Sequence, residues 1–94
     1  MKFAFLIMGG FAPQTDHAAI GAGSAQMIGV ADLEQARAAA RELRAQGVDC
    51  IELCGAFGAA GARAVIEATE GQIPVGYVTH FPEQDALFEK TFGA

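Results

Sequence analysis

The stretch from Ile51 to Gly61, Ile-Glu-Leu-Cys-Gly-Ala-Phe-Gly-Ala-Ala-Gly, constrains the fold of this chain more than any other. Its first four residues read as the end of a buried strand, interrupted by one carboxylate and closed by a thiol. Gly55, Gly58 and Gly61 then turn the chain directly into a helical pattern. A strand that runs through a glycine turn into a helix is the opening half of a βα crossover. Crossovers of this kind build parallel sheets, and ligands of open α/β sheets bind at the carboxyl ends of the strands.

The rest of the chain supplies matching pieces. Phe3 to Met8 is apolar at every position, as a central strand covered on both sides would be. Gly9-Gly10 ends it, and residues 11–23 read as irregular, with Pro13, Asp16, His17, Gly21 and Gly23 breaking any period. Ser24 to Ala31 reads as a second strand. Asp32 with Gln35 three residues on has the spacing of a capping box. The helix it opens presents Leu33, Ala36, Ala40 and Leu43 on one face and stops at Gly47. Val48 to Cys54 is the third predicted strand. A second helix is expected from about Ala59 to Glu70, with Ala62, Val65, Ile66 and Thr69 facing inward. Val75 to His80 follows as the fourth strand, and Leu87, Phe88 and Phe92 mark a short packing helix after Pro82.

This order predicts a single α/β domain over 1–94, built on a mainly parallel four-stranded sheet in the chain order β-β-α-β-α-β-α. Right-handed crossovers taken in one direction put both connecting helices on the same face of the sheet. The other face then needs the tail helix or another subunit, which makes a homodimer or higher homo-oligomer the expected state. The first strand is expected to run parallel to the others, which would bring Asp16 and His17 to the same edge as Cys54, Gly55 and His80.

Charge narrows the partners. The chain carries 6 basic and 11 acidic residues, a net charge of −5. Nucleic acid requires clustered lysine and arginine, so it is not an expected partner. Arg37, Arg41 and Arg44 share a helical face, but Glu34 and Glu42 neighbour them, as on a solvated face laced with ion pairs. Cys50 and Cys54 on one strand would hold their Cα atoms roughly 13 Å apart, beyond disulfide reach. Two reduced thiols suit the cytoplasm. Met1-Lys2 and the apolar run behind them imitate a secretion signal, but the run is short and its removal would delete a core strand. No stretch approaches the length of a membrane span, so no membrane partner is expected.

Several side chains qualify for chemistry. Glu52 interrupts an apolar strand two residues before the turn, where a desolvated carboxylate can act as an acid or base. It serves equally as a cap for backbone amides, an arginine partner or a subunit contact. His80, at the end of the fourth strand, and His17, beside Asp16 in a glycine-flanked loop, are the other catalytic candidates. Cys54 lies just ahead of a helix start, with Cys50 deeper in the same strand; a small buried filler is the plainer role for both. Gly55, Phe57 and Gly58, with Cys54 and Asp16, are the expected ligand-binding residues. The glycine turn lacks the Gly-Lys-Ser/Thr of a P-loop and the spacing of a dinucleotide fingerprint, so no cofactor is named. His17, His80, Glu52 and Cys54 lack the short spacing of a zinc site, and no metal is expected.

The run Ile51-Glu52-Leu53-Cys54-Gly55-x-Phe57-Gly58, with Pro74-Val75-Gly76-Tyr77-Val78 and Thr79-His80-Phe81-Pro82, resembles a family of small bacterial α/β proteins of unknown function. The resemblance extends over nearly the whole chain and implies a compact α/β domain without assigning an activity. Two functions are therefore expected in competition. One is a small-molecule site, catalytic or not, for an anionic or carbonyl ligand at the carboxyl edge of the sheet. The other is a non-enzymatic oligomeric or regulatory module with Glu52 and His80 in the subunit interface.

Overall fold

The computed structural model describes residues 1–93. Five strands form one sheet: β1 (Phe3–Met8), β2 (His17–Ile20), β3 (Ala25–Val30), β4 (Cys50–Leu53) and β5 (Val75–Tyr77). Their order across the sheet is β2-β3-β1-β4-β5. β1 is parallel to both β3 and β4, and β4 is parallel to β5. The strand that is apolar at every position is therefore the central one, and its direction is the expected one.

The sheet has five strands rather than four. The additional strand, β2, pairs antiparallel with β3, His17 opposite Ile28 and Ile20 opposite Ala25. It is four residues long, exposed throughout, and contains Ala18 and Ala19. A short edge strand without a buried face has no alternating pattern to betray it, so the segment reads as loop in the sequence. At the other edge, β5 stops at Tyr77, three residues short of His80; Val78 still donates its N–H to Leu53 O at 2.9 Å.

Three helices accompany the sheet: α1 (Leu33–Ala45), α2 (Gly58–Ala68) and α3 (Asp85–Phe92). Asp32 accepts the Gln35 N–H at 2.8 Å, and Gln35 Oε1 reaches back to the Ala31 N–H at 2.8 Å, so the capping signal is real and displaced by one residue on its return leg. α1 buries Ala36, Ala40 and Leu43, while Leu33 packs at the margin of the core. α2 buries Ala62 and Val65 as expected, together with Gly61 and Ala64. Thr69 is buried just past the helix and donates its hydroxyl to Ile66 O at 3.0 Å. Ile66 itself points outward, 38% exposed, because the inward stripe runs through 61, 62, 65 and 69.

Strand alternation sorts the core. Ala4 and Leu6 of β1, Val30 of β3, and Ile51 and Leu53 of β4 are buried with the α1 and α2 residues in one cluster. Both crossover helices thus cover the same face, as two right-handed crossovers in one direction demand. The basic residues of α1 are ion-paired on the surface, Arg37 with Glu34 at 3.6 Å and Arg44 with Glu70 at 2.8 Å. The opposite sheet face carries Phe3, Phe5, Ile7, Met27 and Ile20, and none of the three helices buries it.

Candidate functional site

The connections leaving β1 and β4 depart in opposite directions, one toward β3 and the other toward β5. Neighbouring parallel strands whose connections diverge leave a crevice between their carboxyl ends. Here the crevice is a cleft of about 600 Å³. Its floor is Met8 and Cys54, one wall is the turn at Gly55, Ala56 and Gly58, and the other runs from Tyr77 to His80. Phe88 and Phe92 of α3 complete it.

The floor is stitched together by the thiol. Cys54 donates its N–H to Leu6 O at 3.0 Å, and its Sγ accepts the Met8 N–H at 3.3 Å. A short 3-10 turn, Gly55–Phe57, follows, and its glycines have separate tasks. Gly58 has φ 61° and ψ −175°, a region essentially restricted to glycine, which lets the chain swing from the turn into α2. Gly61 gives close packing: a Cβ there would lie 3.0 Å from Phe57 Cβ. Phe57 is consequently pressed into the core, 6% exposed, and does not line the cleft.

His80 is the imidazole on the wall formed by residues 77–80, and its ring is held from two sides. Nε2 lies 2.8 Å from Asp85 Oδ1, and the ring stacks on Phe88 with centroids 3.8 Å apart and planes 6° from parallel. Phe92 extends the stack, 5.8 Å from Phe88. Asp85 and Phe88 sit three apart on α3 and so present to one side. With Nε2 engaged, Nδ1 is the ring nitrogen left for a ligand. A carboxylate behind an imidazole fixes the orientation and tautomer of the ring.

The other predicted residues lie elsewhere. Glu52 is opposite Phe5 and Gly76 on the uncovered sheet face and is not among the cleft-lining residues. Its Oε1 is 3.6 Å from Cys50 Sγ. Burial, then the nearby Glu52 charge, then the thiol–carboxylate hydrogen bond push the Cys50 thiol above its ordinary pKa. Asp16 and His17 are at the carboxyl edge, but β3 and β1 stand between β2 and β4, a separation of roughly 14 Å at the usual strand spacing. Asp16 holds its own turn, accepting the Ala12 N–H at 2.8 Å. Among the described residues, no three His, Cys, Asp or Glu side chains converge as metal ligands.

Cys54, Gly55, Gly58 and His80 are therefore brought together. Glu52, Phe57, Asp16 and His17 are not part of that group. Asp85, Phe88 and Phe92 are site residues that the sequence reading does not name, although their spacing of five, eight and twelve residues from His80 across a proline turn is the signal that a helix returns over it.

A family model described as a family of unknown function, DUF6506, matches residues 1–93. The chain belongs to that family. The match spans the central strand, the Cys54–Gly58 turn and the α3 wall alike, so the whole cleft of this DUF6506 protein lies inside the family region. Neither a curated protein nor a solved structure matches it. No helix among the described residues is long and apolar enough to cross a membrane.

Proposed function

We propose that the cleft binds a small, largely apolar carbonyl compound or monocarboxylate. One observation carries the reading: an apolar cleft of about 600 Å³ opens where β1 and β4 diverge and holds one imidazole oriented by a carboxylate. That volume falls within the range of ordinary small-molecule sites, which are mostly apolar with a few convergent polar groups. Tyr77, Val78, Phe88 and Phe92 would cover the apolar body of the ligand. Its oxygen would face the backbone amides entering α2, where the helix end favours partial negative charge. None of the six basic residues lines the cleft, and Asp85 and Glu89 flank it. This balance favours a neutral carbonyl or a single carboxylate over a polyphosphate. His80 is then the group to exchange a proton with the ligand, with Asp85 as its positioning residue.

The test is titration of 15N-labelled protein with a panel of aryl ketones and aryl carboxylates. Binding should move the amide signals of Gly55, Ala56, Gly58, Thr79 and His80. His80→Gln should weaken binding about tenfold, the loss of one good polar contact, with the fold intact. Shifts confined to β1 and β3, or affinity indifferent to His80→Gln, would refute the assignment. The competing reading, a non-enzymatic oligomeric module, draws support from the uncovered sheet face. It involves a different surface, since Glu52 belongs to that face and His80 to the cleft.

A further inference from the structure

We infer that the uncovered face of the sheet is the docking surface for a second copy of this chain, the two sheets packing face to face. The inference is independent of what the cleft binds. Parallel sheets occur almost only with both faces covered. β3, β1, β4 and β5 form such a sheet, and α1 and α2 cover only one side of it. The third helix is committed elsewhere, with Phe88 on the His80 ring and Phe92 on Phe88. Phe3, Met27 and Ile20 are left 40%, 47% and 73% exposed on the open side.

The area agrees with a dimer. The chain has an accessible surface of 5976 Å². A folded monomer of 9.7 kDa exposes about 5,100 Å². The surplus of roughly 850 Å², to which the open face contributes together with β2 and α3, is close to the ~800 Å² that each partner buries in a standard interface.

The face is also prepared for contact. Glu52 alone is charged among its strand residues, and it lies down against its own sheet. Its carboxylate occupies the space over Gly76, where a Cβ would stand 2.8 Å from Oε2, and it takes the Cys50 thiol as donor. The charge is thus drawn toward the β5 edge, leaving the middle of the face to Phe3, Phe5, Ile7 and Met27. At one end, Phe11 folds over Gly29, where a Cβ would come within 2.6 Å of the Phe11 Cβ. A surface without basic residues does not suit nucleic acid or an anionic bilayer, whereas an apolar face packs on its own copy about a two-fold axis. Sheets stacked in this way lie about 10 Å apart, with their strands aligned to within about 30°.

Sedimentation equilibrium of the full chain tests this. The wild type should sediment at twice its 9.7 kDa mass at micromolar concentration. Met27→Lys and Ile20→Lys should each raise the dimer dissociation constant, about a hundredfold or more for Met27→Lys, because each places an unpaired charge in the contact. Both positions are exposed in the single chain, so the circular dichroism of the variants should be unchanged; Ile20→Lys, at the rim, carries the test should Met27→Lys fail to fold. Leu87→Lys on α3 should leave the dimer intact. A wild-type monomer at these concentrations overturns the inference, as does a dimer that survives both sheet-face substitutions or one that yields to Leu87→Lys alone. Monomers that float with phosphatidylcholine vesicles through Met27 would overturn it equally, in favour of a lipid surface.

Discussion

Gly58→Ala isolates the backbone contribution to the cleft. A Cβ built on Gly58 meets nothing within 4 Å, so the substitution introduces no clash and removes no contact. What it does is force a residue with a Cβ to hold φ 61° and ψ −175°. That region costs a non-glycine residue about 1–3 kcal/mol. The alanine also has fewer unfolded conformations to lose, which returns about 0.4–1 kcal/mol. The net loss is about 1–2 kcal/mol. For a domain of this size it should lower the melting temperature by roughly 5–15 °C. Urea unfolding followed by circular dichroism should show the midpoint falling by about 1 M with the slope unchanged. Gly10→Ala is the control: its Cβ also meets open space, and its φ lies outside the glycine-favoured region. It should be neutral or slightly stabilising. Equal stability of the two variants would refute the claim that the turn into α2 depends on a glycine-only conformation.

Two further outcomes follow from the burial pattern. Because the folded state raises the Cys50 pKa, the stability this thiol contributes is complete below its unfolded pKa and is lost as pH rises through the folded value. Stability curves measured from neutral to alkaline pH should fall through that window, and Cys50→Ala should flatten that part of the fall. Leu53→Ala, at a fully buried position on the helix-covered side of β4, should cost about 2–5 kcal/mol, readable as a large drop in urea midpoint. For a domain whose whole stability is about 5–14 kcal/mol, that loss leaves a measurable unfolded fraction under mild denaturant.

What the sequence disclosed follows from where its signals are strong. β1 is readable because a run apolar at every position marks a central strand, and the helices cover only its Ala4 and Leu6 side. α1 is readable because Asp32, Gln35 and Gly47 bracket a three-and-four spacing. The carboxyl-edge residues Cys54, Gly55, Gly58 and His80 are readable because strand ends and glycine turns are local features. Glu52 shows the limit of local reasoning. Its alternation with Ile51 and Leu53 says that it faces the other way from them, but only the crossover geometry says which side the helices take. Phe88 and Phe92 reach the cleft, and Asp85 the His80 ring, through the docking of α3, a tertiary event at which their spacing from His80 only hints. His17 marks the intermediate case, correctly placed at the carboxyl edge and separated from the cleft by the order of strands.

α3 buries none of its residues, yet it supplies Asp85, Phe88 and Phe92 to the site. The residues that hold the core and the residues that α3 adds to the cleft are thus written in different segments. Substitutions on this helix can reshape the pocket while the packing of α1 and α2 on the sheet is left alone. Such a division leaves α3 free to change in sequence over a scaffold whose core residues are not.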